Sequence, residues 1–201
     1  MPRSTEVKQR SVFLNVPFDK SYERLFVALI GGLISLGQAP HCVLELPEIG
    51  QGRLDRILRL IQACQISIHD LSRVGHPARF NMPFELGIAV ALARYGGRHQ
   101  FVVLEAERHR LSRTLSDLSG IDPGIHGASA IGIISCLISH LGLPTGNPSI
   151  AQVKALDRRL WRAANILKRD YRRDDLYSRA IFQGLVQAGL DLARGMDLVL
   201  D

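Results

Sequence analysis

The chain has 201 residues, 46% hydrophobic and 22% charged, the proportions of a soluble globular protein with room for one well-filled domain. Its formal charge of +6 is evenly spread, 15 basic against 12 acidic residues over 1–149 and 10 against 7 over 150–201. Nucleic-acid binders concentrate their cations, so this distribution argues against a dedicated nucleic-acid site. Cys42, Cys64 and Cys136 lie far apart inside apolar runs, the pattern of reduced core thiols in a cytoplasmic protein rather than of disulfides. The first ten residues are polar, so no signal peptide is expected. The longest apolar stretch, 128–143, contains Ser135, Ser139 and His140 and is too short to span a membrane.

Residues 1–10 read as a loose tail. Val12 to Val16 reads as a buried strand stopped by Pro17-Phe18-Asp19. Ser21 to Leu36 turns helical, with Leu25, Phe26, Leu29, Ile30, Leu33 and Ile34 in helical register. Gly31-Gly32 in its middle costs helix propensity, so this helix is either packed closely there or bent, and Gly37 closes it. Pro40 to Leu46 is a second strand candidate. Arg53 to Cys64 is an amphipathic helix with Leu54, Ile57, Leu58 and Ile61 on one face and Arg53, Arg56 and Arg59 directed away. Gln65 to His69 is a third strand, ending in Asp70. After a polar loop, Asn81 is placed to N-cap a helix whose Phe84, Ile88, Ala91 and Leu92 face the core. Gln100 to Leu104 is a fourth strand, apolar on both faces as central parallel strands are. A short helix around Leu111–Leu118, a fifth strand or extended segment within 119–126 and a helix over 129–141 follow.

This alternation predicts an open, mainly parallel α/β sheet covered on both faces over residues 11–143. Gly142 to Pro148 is a linker by composition. Residues 148–201 form a helical hairpin, from helices over Ile150–Lys168 and Asp174–Leu198, that either caps the sheet domain or makes a dimer interface.

In such sheets, ligands bind outside the carboxyl ends of the strands, which gathers Asn15, Asp19, Glu48, Asp70, Asn81 and Glu85 on one rim. No Gly-rich phosphate loop, metal-spaced histidine pair or G-x-S-x-G elbow occurs in the sequence. Carboxylate chemistry remains. A glutamate in a helix first turn is favoured as an anion by the dipole and opposed by the apolar flank of Phe80, Met82 and Phe84. An ionised carboxylate in a semi-apolar pocket suits attack on an oxocarbenium-like anomeric carbon, as in glycosidic cleavage. Asp70 would orient sugar hydroxyls or protonate the leaving base. Local structural roles compete with both: a strand-end Asp often caps the next turn, and a Glu early in a helix often answers the dipole.

Three segments carry a family resemblance. Phe13-Leu14-Asn15-Val16-Pro17-Phe18-Asp19 resembles the first strand and loop of nucleoside 2-deoxyribosyltransferase-like proteins. Ser67-Ile68-His69-Asp70-Leu71-Ser72 is similar to their strand ending in a substrate-contacting Asp, and Phe84-Glu85-Leu86-Gly87-Ile88-Ala89 to the helix that carries their nucleophilic Glu. Bacterial Toll/interleukin-1 receptor (TIR) domains, which cleave NAD, share the flavodoxin-like fold and also carry a Glu at this rim. The sequence more closely resembles a group of bacterial TIR-like or deoxyribosyltransferase-like proteins with the phrase Arg-Phe-Asn-Met-Pro-Phe-Glu-Leu-Gly. The likeness covers about residues 11–140. It implies a flavodoxin-like, doubly wound α/β domain that cleaves or transfers the N-glycosidic bond of a nucleoside, nucleotide or NAD, in a setting such as bacterial defence.

On this reading Glu85 and Asp70 are the catalytic candidates, with Asn15, Phe18, Asp19, Ser72, Arg79, Asn81 and Met82 around the substrate. No metal or other cofactor is implied, and a homo-oligomer is expected, because enzymes of this fold often complete the pocket from a second subunit. Arg79 suits a substrate phosphate and equally a pairing with Asp70 or solvent. Tyr22 reaches toward the site from the first loop, Glu48 reads as a solvated turn acid, and Asp122 and His126 are secondary candidates from a fifth loop. His69, by strand alternation, points away from Asp70. Trp161 and Tyr171 read as hairpin packing in preference to base stacking. The alternatives are a non-catalytic nucleotide sensor using the same rim and an interaction module in which the hairpin binds a partner.

Overall fold

The computed structural model describes residues 9–47, 50, 52–73, 80–97, 99–118, 120–142 and 146–198. Short apolar runs form the strands β1 (Ser11–Asn15), β2 (Ala39–His41), β3 (Ile66–Asp70), β4 (Gln100–Glu105) and β5 (Gly124–Ile125). All pairings are parallel, in the order β2-β1-β3-β4-β5. That is the flavodoxin-like order of a doubly wound sheet, in agreement with the alternation read from sequence. β3 is buried along its whole length, so Ile66 and Ile68 pack on one face and its polar side chains Ser67, His69 and Asp70 are all hydrogen-bonded within the protein.

The helices are α1 (Glu23–Ser35), α2 (Arg53–Ala63), α3 (Asn81–Gly96), α4 (Arg110–Thr114), α5 (Ala130–Leu141), α6 (Ile150–Asp170) and α7 (Arg179–Arg194). α1 and α5 cover one face of the sheet and α2 and α3 the other. The C-terminal pair, α6 and α7, forms an antiparallel hairpin against the outer side of α1. α1 is therefore enclosed, and every residue from Leu25 to Ser35 is buried, as a helix that is apolar all round requires. Gly31-Gly32 serves close packing. A Cβ on Gly31 would stand 3.1 Å from Leu156 Cδ2 of α6, and one on Gly32 would stand 2.5 Å from Leu137 Cδ1 of α5.

Polar ties fix the hairpin on α1. Arg24 donates both guanidinium nitrogens to Asp157, with NH1 at 2.7 Å, and lies 5.4 Å over the Trp161 ring. The buried Glu23 accepts from Lys168 Nζ at 2.8 Å and from the Leu176 amide at 3.0 Å. Ser149 and Gln152 form a capping box that starts α6.

Several boundaries differ from the sequence reading. The second strand stops at His41 because the chain enters a 3-10 turn over Val43–Glu45. Its Pro40 lacks an N–H, which an edge strand tolerates. The last helix starts at Arg179, since Asp175 accepts the Tyr177 amide in a turn and the Ser178 hydroxyl then accepts from Ile181 N. The buried face of α3 is Met82, Glu85, Leu86 and Ala89, whereas Phe84 is 58% exposed. Most positions from 82 to 92 are apolar, so periodicity could not choose the inward face, and contact with β3 and β4 did.

The three cysteines are free thiols in the core. Burial pushes Cys64 up to about 12, which leaves it unreactive near neutrality. Among the described residues, no helix is long and apolar enough to cross a membrane.

Candidate functional site

In the strand order found here the winding direction reverses between β1 and β3. In open sheets of this kind the ligand crevice lies at the carboxyl ends of those two strands. Asn15 ends β1 and Asp70 ends β3, with Asn15 paired in register with His69. The helix that follows β3 brings in Glu85, which is 3% exposed. Glu85 lies in the second turn of α3, beyond the first turn expected from sequence. Pro83 fits the third helical position, where no intrahelical N–H is needed, and Phe80 takes the N-cap place assigned to Asn81.

Burial raises the Glu85 carboxyl above its ordinary value. The positive charge of Arg53 opposes that rise first, and the side chains of Asn81 and Asn15 oppose it further. One carboxylate oxygen, Oε2, is buried without a hydrogen-bond partner among the described residues. The desolvating flank differs from the expected one: Met82 is buried, but Phe80 is 81% exposed and Phe84 also faces solvent. The protein thus holds a partly desolvated carboxylate with one oxygen uncommitted.

A buried chain of hydrogen bonds runs down β3 behind Glu85. His99 Nδ1 lies 3.1 Å from the Cys64 carbonyl, which can only accept, so this nitrogen donates. His99 Nε2 is then the acceptor for the Ser67 hydroxyl at 2.8 Å. Ser67 Oγ in turn accepts from His69 Nε2 at 2.8 Å, and His69 Nδ1 accepts from Asn15 Nδ2 at 3.0 Å. Burial, aided by His99, pushes His69 down to about 3, which keeps it neutral and fixes one tautomer. The chain therefore aims the Asn15 amide N–H groups, one of them toward Glu85. Ser67→Ala is expected to free His69 to exchange tautomers and let the Asn15 amide turn its oxygen toward Glu85. The Glu85 carboxyl pKa should then rise further, read by carboxyl carbon NMR beside the His69 ring-nitrogen shifts. Unchanged shifts in both would sink the assignment.

Asp70 belongs to the other side of the sheet. It is fully buried, and Tyr22 donates its hydroxyl to Oδ2. His126 Nε2 lies 3.3 Å from Oδ2, and the Ser72 amide donates to Oδ1 at 2.8 Å. Burial alone would raise this carboxyl, but His126, Ser72 and Tyr22 together hold it below the usual carboxylate range. Ser72 Oγ also meets His126 Nε2, at 2.7 Å. Serine and aspartate thus share one ring nitrogen, which excludes a Ser-His-Asp relay, since that device uses both. The backbone of His126 is held against α5: a Cβ on Gly132 would fall 1.9 Å from the His126 carbonyl oxygen.

No protein-family model and no curated protein matches this chain.

The two acids of the sequence reading both reach the carboxyl end of the sheet, but from opposite faces. Among the described residues no hydrogen bond or ion pair joins them. Arg73 ties the loop after β3 to the first loop through Asp19 at 2.6 Å, and Arg110 of α4 ties it to the chain after β4 through the Ser72 carbonyl at 2.7 Å. Asp19 also accepts from the Ser21 hydroxyl, and its carbonyl accepts from Tyr177 Oη at 2.7 Å. Phe18, at the end of the first loop, is partly buried. It packs in the core against Phe26 and Tyr177, with ring centroids 6.1 and 5.3 Å away. Asn81 is exposed at the start of α3, Met82 is buried beneath it, and Asp122 is exposed. Arg79 and Glu48 lie outside the described residues. Among those described, no group of three His, Cys, Asp or Glu side chains is placed to hold a metal ion.

Sequence reasoning undervalued His126 and Tyr22 and gave Arg53 no place at the site. The first two approach Asp70 from residues 56 positions later and 48 earlier, a pairing that only the folded sheet creates. Arg53 carried one signal: it opens a helix whose own face does not use it.

Proposed function

We propose that the crevice between β1 and β3 cleaves or transfers the N-glycosidic bond of a nucleoside, nucleotide or NAD. The observation that carries this reading is Glu85: a nearly buried carboxylate at the switch point of the sheet, steadied by Asn15 and Asn81, with one oxygen uncommitted. Glu85 attacks the anomeric carbon, a C–O bond forms, and the C–N bond breaks with its electron pair leaving on the base. A nicotinamide departs neutral, while an ordinary nucleobase takes a proton from solvent. Water, or the hydroxyl of an acceptor, then displaces Glu85 and regenerates the carboxylate.

Asp70 does not supply that proton on this reading. A carboxyl held ionised by three donors is a poor acid at neutral pH, so Asp70 is a positioning residue that fixes the Tyr22 and Ser72 walls of the crevice. The departure from the sequence expectation follows from the number of donors around it.

The test is incubation of the full chain with NAD and with matched panels of nucleosides and nucleoside monophosphates, following free base by chromatography. Base release lost in Glu85→Gln supports the reading. Tight binding with no release in any member replaces it with a nucleotide sensor, and neither binding nor release removes the crevice from consideration.

A further inference from the structure

A second cavity, of about 290 Å³, opens where the first turns of α2 and α7 approach the 3-10 turn after β2. Arg53, Arg56 and Arg179 line it, together with Tyr177 and Ser178 and, among the described residues, with no acidic side chain. Arg56 is 8% exposed and donates to the Leu46 carbonyl at 3.4 Å. Arg53 and Arg179 form no ion pair among the described residues. Both helices begin at this cavity, and α2 starts from Gly52 without a side-chain cap. Two positive helix ends and three guanidinium groups thus surround a space a few atoms across. An anion seated there would meet the positive ends of both helices and the guanidinium groups of Arg53 and Arg179.

Arg53 connects this cavity to the crevice, because it is also the charge that most favours the Glu85 anion. Planar guanidinium forks suit phosphate oxygens better than a single carboxylate.

We propose that this cavity binds the phosphate of a nucleotide, so that the crevice takes phosphorylated nucleotides in preference to free nucleosides. The inference rests on the reading of Glu85 given above. It also gives the C-terminal hairpin a binding role, since Tyr177, Ser178 and Arg179 come from the start of α7 and Arg53 and Arg56 from the sheet domain.

Inorganic pyrophosphate, which carries neither base nor sugar, probes the cavity alone. Titrated into the full chain, it should shift the guanidinium N–H resonances of Arg53 and Arg179. Arg179→Glu, an exposed change at a helix N-terminus that favours acids, should weaken its binding at least tenfold, and Arg53→Gln should do the same. In the nucleotide panel, monophosphates should bind at least tenfold tighter than their matching nucleosides, and Arg179→Glu should erase that margin without altering nucleoside affinity. Pyrophosphate that leaves both resonances in place, or that binds Arg179→Glu as well as the parent chain, overturns the proposal. So does a DNA duplex that binds more tightly than pyrophosphate with the same dependence on Arg179, since that assigns the cavity to a nucleic-acid backbone. If pyrophosphate binds as described while no member of the panel is cleaved, the phosphate site stands and the Glu85 reading fails.

Discussion

Glu85→Gln should abolish base release, by about 10³-fold or more, and yet yield a more stable protein. The two effects have one cause. A carboxylate oxygen buried without a partner costs about 1–3 kcal/mol. Replacing the charge with an amide removes most of that penalty, so a gain of about 1 kcal/mol, or about 2–4 °C in Tm for a chain of this size, is expected. The sign with pH is fixed by the raised carboxyl. Glu85 titrates above its ordinary 4.5 in the folded state, so its ionisation weakens the fold once the pH exceeds that value. The advantage of Glu85→Gln should vanish below about 4.5 and grow as the pH rises through the raised folded-state value. Activity that requires the anion should show an acid limb whose midpoint lies above 4.5. Calorimetry of both proteins at pH 4 and pH 7.5 checks the first statement. A variant that is less stable at both pH values would show that Glu85 is a structural acid instead.

Asp70→Asn should act in the opposite sense and on the fold itself. Three donors converge on the Asp70 carboxylate: the Tyr22 hydroxyl, His126 Nε2 and the Ser72 amide. An asparagine offers one acceptor oxygen and brings two donors of its own, so at least one buried donor loses its partner and another is met by an N–H. Breaking a buried, fully bonded carboxylate in this way costs about 3 kcal/mol, or about 6–12 °C in Tm. Because the folded-state value of Asp70 is depressed below 3.8, its contribution is complete above that pH and is lost as the pH falls through the folded-state value. The gap between parent and variant should therefore be constant from pH 5 to 8 and close in stronger acid. A variant with unchanged Tm at pH 7 would show that the network contributes no net stability.

The two substitutions also separate the roles that the sequence had placed side by side. Asp70 and Glu85 are fifteen positions apart, and a strand-loop-helix reading put both on one rim. The residue that betrays the actual arrangement is His69. Strand alternation places it on the face opposite to Asp70. That face is the one Glu85 occupies. His69 meets Asn15, and Asn15 faces Glu85, while Asp70 turns toward Tyr22 and His126.

The sequence by itself determined the parallel sheet, because its apolar runs of four to six residues, separated by helical stretches, leave no other way to bury both faces of the strands. It also determined the helix over 21–36 and the candidacy of Glu85 at a strand-helix junction. Only the tertiary structure decided which side of α3 faces inward, that Phe18 is a core aromatic, that His126 joins Asp70, and that three arginines from α2 and α7 surround one cavity. Secondary structure follows from local periodicity, which a linear pattern records. The partners of a buried charge are chosen by strand order and helix packing, and those contacts join residues 48 to 153 positions apart that share no local pattern.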